Sequence, residues 1–285
     1  MNYRHAFHAG NFADVVKHAV LCRVPTHLRE KPAAFRVIDT HAGTGLYDLG
    51  GIEAGKTQEW RDGIDRLWRT ELDAAARKLL APYLEAVAAR NSGDALRTYP
   101  GSPSLVQSLL RPQDRLIACE LEPAAAAALQ NNLRGDKRCK AIAIDGWTAL
   151  SAYVPPKERR GLVLVDPPFE QPGEFTRLAQ GLAAAHRKWP TGCYLLWYPI
   201  KNEAEVAAFT KRLSRLPIAK LLRIELILAS TGSDLGLRGT GLIAVNPPWT
   251  LQDELQTLLP VLSGILSRGA KSRLTLGWLT GESAS

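Results

Sequence analysis

The sequence predicts an α/β fold in which helices cover both faces of a mainly parallel sheet. Three observations favour this class. From residue 115 onward, short apolar runs alternate with segments of helical periodicity. The 285 residues, 46% of them hydrophobic, suffice for one large core. Four of the apolar runs end in an acidic residue, which is typical of α/β sheets that bind ligands at the carboxyl ends of their strands.

Seven strands are predicted. They are FRVID (35–39), RLIACE (115–120), KAIAID (140–145), GLVLVD (161–166), CYLLWY (193–198), LLRIELILA (221–229) and GLIAV (241–245). Helices are predicted at 11–30, where Asn11 is a suitable N-cap, and at 122–134, 147–153, 173–188 and 202–215. The Gly-rich segment between the last two strands is typical of a hairpin, so we expect an antiparallel strand at the edge of the sheet.

The segment 50–98 interrupts this alternation. Its apolar residues, such as Trp60, Leu67 and Leu80, recur at near-helical spacing, and strand signals are lacking. We expect an inserted helical subdomain at 50–98 within a main domain formed by 1–49 and 99–285.

The net charge of +8 favours a polyanionic partner such as a nucleic acid. No apolar stretch approaches the roughly 20 residues that cross a bilayer, and the N-terminus lacks a signal-peptide pattern. The four cysteines form no Cys-x-x-Cys pair, which is typical of reduced thiols. We therefore expect a cytoplasmic monomer without membrane association.

The first predicted turn, residues 39–45, favours a cofactor without phosphate. Gly43 and Gly45 let the backbone approach a ligand closely. The full G-x-G-x-x-G pattern is lacking, and the following residues are turn-like rather than the helix start that a pyrophosphate prefers. This favours S-adenosylmethionine over a nicotinamide cofactor.

The acids at later strand ends fit the same cofactor. Glu120 suits the two ribose hydroxyls, because a carboxylate accepts hydrogen bonds in a fork. Asp145 with Gly146 suits the adenine amino group. Ser102, in YPGSP, is either a hydroxyl near the methionine end or the N-cap of a helix that begins near Pro103. Each acid taken singly could also be a helix cap.

Asp166-Pro167-Pro168-Phe169 is the most specific motif in the chain. The lone pair of adenine N6 is delocalised, so a catalyst must accept hydrogen bonds from the amino group and then take its proton. Asp166 can do both, the carbonyl of Pro167 can accept a second bond from a rigid backbone, and Phe169 can stack on the base. The motif predicts methylation of an adenine amino group.

A second motif of the same shape is Asn246-Pro247-Pro248-Trp249. Its order along the chain disfavours it. Asp166 follows Asp145 by a regular strand-helix spacing, which places it beside the cofactor strands. Asn246 follows the predicted hairpin, so we expect it at the far edge of the sheet.

The N-terminal segment YRHAFHAGNFADVVKH (3–18) is rich in His and basic residues. We expect it to cover the cofactor pocket, with Lys17 or His18 near the methionine carboxylate, although a structural role for any of these residues is an alternative. The histidine spacing matches no common zinc pattern, so no metal is expected. The residues expected to contact the substrate are Tyr3, Arg4 and His5.

The chain resembles the RlmJ family of bacterial 23S rRNA adenine-N6 methyltransferases. The resemblance rests on YRHAFHAGNFADVVKHAVL, IDTHAGTGLYDLG, YPGSP, LVDPPF, LWYPI and GLIAVNPPW, in this order, over essentially the whole chain. It implies a class I (Rossmann-like) S-adenosylmethionine-dependent methyltransferase fold with a helical insertion, and 23S rRNA as substrate. Phe169 departs from the pattern, in which tyrosine is usual.

The resemblance also implies roles for individual residues. It makes Asp166 the proton acceptor and Tyr3 an rRNA contact, and it adds His18 and His41 to the cofactor site. The complete set expected to bind the cofactor is Lys17, His18, His41, Gly43, Ser102, Glu120, Asp145, Gly146 and Asp166.

Two other functions are alternatives. A DNA adenine-N6 methyltransferase would share the motif order, but only 40 residues follow the last predicted strand, too few for a separate target-recognition domain. A non-catalytic RNA-binding protein on the same scaffold would not need Asp166 and Glu120, which are both present.

Overall fold

The computed structural model describes residues 5–93, 95–228, 237–267 and 271–281, so Tyr3 and Arg4 lie outside the described residues. The strands are β1 (Arg36–Asp39), β2 (Leu46–Asp48), β3 (Thr98–Pro100), β4 (Arg115–Glu120), β5 (Cys139–Ala143), β6 (Gly161–Val165), β7 (Cys193–Ile200), β8 (Leu221–Leu228), β9 (Gly239–Val245) and β10 (Ser272–Thr280). The helices are α1 (Phe12–Leu28), α2 (Ile52–Thr57), α3 (Ile64–Arg69), α4 (Ala74–Ala88), α5 (Ser102–Leu109), α6 (Pro123–Asn132), α7 (Gly146–Tyr153), α8 (Glu174–Lys188), α9 (Glu203–Leu213) and α10 (Leu251–Leu266).

The main sheet has the order β5-β4-β1-β6-β7-β9-β8-β10. Its first five strands run parallel, whereas β9 is antiparallel to both β7 and β8. The outermost strand, β10, is antiparallel to β8. The predicted fold class, with an antiparallel edge, is therefore confirmed.

The sheet has one strand more than the seven predicted, since its described part contains eight. The additional strand is β10, whose side chains are partly or fully exposed along its whole length. A strand that buries neither face fully carries a weak hydrophobic alternation, which explains why the sequence did not reveal it.

The strand β9 places the two Pro-Pro motifs at opposite ends of the sheet. Val245 pairs with Tyr194 at the start of β7, so Asn246 emerges at the end of the sheet opposite to Asp166. The expectation that Asn246 sits at the far edge is wrong, because β9 lies between β7 and β8. Its side-chain amide donates to the carbonyls of Pro190 and Gly192, at 2.8 and 2.9 Å. Asn246 therefore stabilises the turn that precedes β7 and is remote from the Asp166 motif.

Helix α1 lies in the interior and brings polar residues with it. As predicted, Asn11 is its N-cap, and the side chain accepts from the amides of Ala13 and Asp14. The helix packs against α4, α5 and α10, and Lys17 and His18 are both buried. A helix that is packed on all sides is normally apolar all round, so the buried polar residues of α1 indicate a polar site.

The two ends of the segment 50–98 lie close together. Strands β2 and β3 flank the segment and pair, with Tyr47 opposite Tyr99. Within the segment, Leu80 and Tyr83 of α4 are fully buried in the same core as α1. A subdomain with the boundaries 50–98 stays a prediction.

None of the helices described here combines the length and apolar character needed to cross a membrane.

Candidate active site

Four acids meet at one end of the sheet. Asp39, Glu120 and Asp166 end or directly follow the neighbouring strands β1, β4 and β6, and Asp145 follows β5. Because these strands are parallel, their carboxyl ends form one edge. The structure thus brings together the four acids singled out by sequence.

The carboxylate of Glu120 is fixed by backbone amides. Its Oε2 accepts from the amide of Gly43 at 2.8 Å, and its Oε1 accepts from Leu121 and Glu122, also at 2.8 Å. Gly43 has a φ of 59°, and a Cβ there would lie 2.1 Å from the Tyr47 hydroxyl. Glycine is therefore required at 43 for the turn to reach Glu120.

The start of α7 packs closely on the first turn. A Cβ at Gly146 would lie 2.3 Å from the carbonyl oxygen of Thr40 and 2.5 Å from His41 Nε2. Asp145 is the N-cap of α7, and its Oδ2 accepts from the amide of Thr148 at 2.8 Å. Its capping and cofactor roles are compatible, because the other carboxylate oxygen is left for a ligand.

His41, in the first turn, has a neutral side chain. Burial lowers the pKa of His41 to about 4. Its Nδ1 lies 2.8 Å from the Thr40 hydroxyl, and its ring contacts Trp147 edge to face at 5.6 Å between centroids.

Ser102 is not the N-cap of α5, whereas its expected place near the methionine end of the cofactor stays a prediction. Gly101 is the N-cap of α5, and the Ser102 hydroxyl donates to Asp39 Oδ2 at 2.6 Å. Both residues are buried. Burial raises the pKa of Asp39 to about 7; repulsion from Asp166 adds to the rise and the bond from Ser102 opposes it. Asp39 can therefore change its protonation state near neutral pH.

Replacing Asp39 with asparagine is expected to stabilise the protein more at pH 8 than at pH 5. The folded-state pKa of about 7 exceeds the ~3.9 of an unfolded aspartate, so ionisation costs the fold nothing below about pH 4 and progressively more up to about pH 7. The gain in the free energy of unfolding should be larger at pH 8 by roughly 1–3 kcal/mol.

Urea unfolding of both proteins at the two pH values measures this difference. The exposed residue Asp253 supplies the control, since Asp253→Asn should change the free energy of unfolding by less than about 0.5 kcal/mol. Equal effects of Asp39→Asn at both pH values would contradict the raised pKa.

The buried ammonium of Lys17 joins two carboxylates. Its Nζ lies 2.8 Å from Asp14 Oδ1 and 2.5 Å from Asp166 Oδ2. Burial opposes the charge of Lys17, but the two carboxylates outweigh it and raise the pKa of Lys17. Lys17 is therefore cationic and holds Asp166 toward α1. Its expected position near the methionine carboxylate of the cofactor stays a prediction.

Asp14 is a site residue that the sequence analysis missed. It accepts from His5 Nε2 at 3.0 Å and from the amide of Gly10 at 2.9 Å, in addition to Lys17. Burial opposes its ionisation, yet His5 and Lys17 lower the pKa of Asp14 well below its usual range. The signal was the spacing of Asp14 and Lys17, three residues apart on one predicted helix.

His18 points into a buried chain of hydroxyl groups. Its Nδ1 lies 2.6 Å from the Tyr99 hydroxyl, which lies 2.8 Å from that of Tyr83. Burial lowers the pKa of His18 to about 3, so the ring is neutral. These contacts fasten α1 to β3 and α4, and a cofactor role for His18 stays a prediction.

Aromatic side chains surround the mouth of the site. The ring of Phe169 contacts those of Phe175 and Trp197, with centroids 4.9 and 5.9 Å apart. Lys17 Nζ lies 5.5 Å from the centroid of Trp197. Phe169 has a φ of 50°, a conformation rare for a bulky side chain and most frequent at functional sites. Trp197, within an apolar strand, carried no sequence signal for this position.

In the parts of the chain that the structure describes, no three His, Cys, Asp or Glu side chains form a metal-binding group. The site instead presents carboxylates beside aromatic rings. Such a site can accept hydrogen bonds from amino and hydroxyl groups and stack on a planar ring.

Known proteins are similar to this chain in sequence and in fold. The family model of ribosomal RNA large subunit methyltransferase D, RlmJ, matches residues 32–280. The ribosomal RNA large subunit methyltransferase J of Escherichia coli is 37% identical over 282 residues, covering 99% of this chain and 100% of that protein. The protein of the same name from Haemophilus influenzae is also 37% identical, with 99% and 100% coverage.

A crystal structure of a Legionella pneumophila protein superimposes with a TM-score of 0.88 and 34% identity, covering 96% of this chain and 99% of that one. Sequence and fold agree over nearly the whole length, and the chain belongs to the RlmJ family of ribosomal RNA large subunit methyltransferases.

Proposed function

We propose that the protein transfers a methyl group from S-adenosylmethionine to N6 of an adenine in 23S rRNA. The observation that carries this proposal is the position of Asp166. It follows β6 at the cofactor end of the sheet, with Pro167 next in the chain and the rings of Phe169 and Trp197 beside it. An adenine stacked on these rings would direct its amino group toward a carboxylate.

The residues at the strand ends fit S-adenosylmethionine. The ligand offers hydrogen-bond donors at its ammonium, ribose and adenine amino groups. Asp39, Glu120 and Asp145 offer acceptors at one edge of the sheet. Gly43 and Gly146 let the first turn and the start of α7 pack closely beside these acids. The predominance of carboxylates disfavours a phosphate-bearing cofactor.

Two groups of the protein then orient adenine N6 for methylation. Asp166 accepts a hydrogen bond from one amino hydrogen, and the carbonyl oxygen of Pro167 accepts a hydrogen bond from the other. These two bonds direct the nitrogen lone pair out of the ring plane. S-adenosylmethionine supplies an electrophilic methyl group on a sulfonium. Asp166 takes the proton that the methylated nitrogen releases. Lys17, bonded to Asp166 Oδ2, orients the carboxylate before this step.

One observation supports RNA over DNA as substrate. The relatives named ribosomal RNA methyltransferases are 37% identical and match 99% of this chain and 100% of their own length. The net charge of +8 suits either polyanion. The cytoplasmic location, the monomeric state and the substrate contacts of Tyr3, Arg4 and His5 stay predictions.

Mass mapping of 23S rRNA tests the proposal. One adenine should lack its N6-methyl group when the gene is deleted and regain it when the wild-type gene is returned. A gene for Asp166→Ala should not restore it. An adenine methylation profile that is identical with and without the gene would rule out the proposal.

A further inference from the structure

The positive charge of the protein is concentrated at the end of the sheet opposite to Asp166. The chain enters its six co-directional strands there, through the segments 29–36, 111–115, 134–140, 157–160, 187–192 and 215–220. Together these segments hold 16 of the 36 Lys and Arg residues but 4 of the 28 Asp and Glu residues. Their net charge is +12, and the remainder of the chain is left with −4. We call the exposed surface of these segments the basic face.

Three of the four acids on the basic face are paired with arginines, and Glu30 lies 3.3 Å from His27. Asp114 lies 2.8 Å from Arg111, and Asp136 lies 2.6 Å from Arg138. Glu158, the fourth, pairs with Arg36 at 2.8 Å.

Many cations on this face are left without an acidic partner. Among the residues that the structure describes, ten exposed side chains on it form no ion pair: Arg29, Lys31, Arg134, Lys137, Lys140, Lys157, Arg159, Arg187, Lys188 and Arg215. Such unneutralised cations favour an external polyanion.

The segments also hold each other in place. Arg111 donates to the carbonyl of Lys31 at 2.7 Å, and both Arg111 and Arg160 donate to that of Ala33, at 3.0 and 2.8 Å. Two guanidinium groups thus lie side by side. Burial and repulsion from Arg111 lower the pKa of Arg160. A rigid group of like charges is costly on its own and becomes favourable when phosphates neutralise it.

The catalytic end provides less of this attraction. It carries Asp39, Glu120, Asp145 and Asp166, which the proposed chemistry requires. Asp39 is buried and Asp166 is paired with Lys17, and the chain outside the basic face has a net charge of −4. The basic face is therefore the surface that attracts an RNA backbone most strongly.

We propose that the basic face binds the phosphate backbone of the substrate RNA at a distance from the methylated base. The inference rests on the proposed function for the identity of the RNA. The five residues of β6 separate the face from Asp166 by about 17 Å, and the seven strands from β5 to β8 give it a length of about 30 Å. An RNA bound there reaches the active site by passing around the molecule.

Trp249 adds an aromatic contact at the same end. Its side chain is 81% exposed, and it follows Asn246, which is bonded to the 187–192 segment. Indole rings beside cations bind unpaired bases by stacking, whereas cations alone bind only the backbone.

The test replaces three cations from three different segments. The variant is Lys137→Gln, Lys157→Gln and Arg187→Gln together, and the matched control is Lys78→Gln, Arg90→Gln and Arg97→Gln, at exposed positions elsewhere. The ligand is 23S rRNA purified from cells that lack the gene. Affinity is measured by filter binding between 50 and 200 mM salt, roughly the range over which phosphate contacts are resolved. Methyl transfer is measured on the same RNA.

The basic-face variant should lose about 2–3 units of the slope of log K against log salt, since each phosphate contact contributes about 0.7–0.9. Its KM for RNA should rise by about tenfold or more, with kcat unchanged. The control triple should match the wild type. Trp249→Ala should weaken binding by about tenfold without altering the slope.

An unchanged slope and KM in a basic-face variant whose Tm equals that of the wild type would overturn the inference. A second outcome would also overturn it: the variant loses binding to phosphatidylglycerol vesicles but keeps its RNA affinity. RNA affinity is measured without turnover. A protein that binds through this face yet methylates no adenine would therefore refute the proposed function alone.

Discussion

Asp166→Ala is expected to lower kcat for methyl transfer by about 10³-fold or more, because it removes both a hydrogen-bond acceptor and the proton acceptor. The affinity for S-adenosylmethionine should change by less than about tenfold, since the other acids at the strand ends remain. Lys17 keeps its partner Asp14 at 2.8 Å, so the fold should persist. Single-turnover methylation and calorimetric binding measure the two effects separately.

The rival motif supplies the control. Asn246→Ala removes two hydrogen bonds to the carbonyls of Pro190 and Gly192, which should reduce stability by roughly 1–2 kcal/mol. Its kcat should stay near that of the wild type, because Asn246 lies at the opposite end of the sheet. Near-normal turnover in Asp166→Ala together with a large loss of turnover in Asn246→Ala would show that the Asn246 motif, and not the Asp166 motif, is catalytic.

Lys17→Met is expected to cause the largest loss of stability, about 3–5 kcal/mol in the free energy of unfolding. The substitution leaves the buried carboxylate of Asp14 and the partly buried carboxylate of Asp166 without the ammonium that contacts both. The exposed Lys78 is the matched control, and Lys78→Met should change stability by less than about 0.5 kcal/mol. Urea unfolding at pH 7 measures both variants.

The origin of this loss can be checked in two ways. Adding Asp14→Asn to Lys17→Met should recover part of the lost stability, because one unpaired charge is removed. In the wild type, the lowered pKa of Asp14 contributes stability above about pH 4 that is lost as the pH falls further. A double variant that is less stable than Lys17→Met would contradict the charge argument.

The sequence predicted the fold well where apolar runs were long and bounded by turn residues. Strands such as β4 and β6 are buried along most of their length, so their composition alone marks them. Strand β10 is half-exposed, and the pairing of β2 with β3 joins residues about 50 positions apart. Neither leaves a local pattern that a single sequence can reveal.

The candidate site was predicted where chain order determines position. Acids at the ends of parallel strands must share an edge, and Asp39, Glu120 and Asp166 do. The contacts of Ser102 and Asp14 were missed because they depend on side-chain direction across separate elements. The concentration of charge on the basic face likewise became visible only when the segments preceding the strands were placed at one end.

The most direct test is a nucleoside assay with purified components. The wild-type protein, methyl-labelled S-adenosylmethionine and 23S rRNA from cells lacking the gene are incubated, and the RNA is digested and separated by mass. The label should appear in N6-methyladenosine at no more than one residue per 23S molecule, and Asp166→Ala should give none. Label in a methylated pyrimidine or guanosine, or equal labelling by Asp166→Ala, would contradict the assignment of Asp166 to adenine methylation.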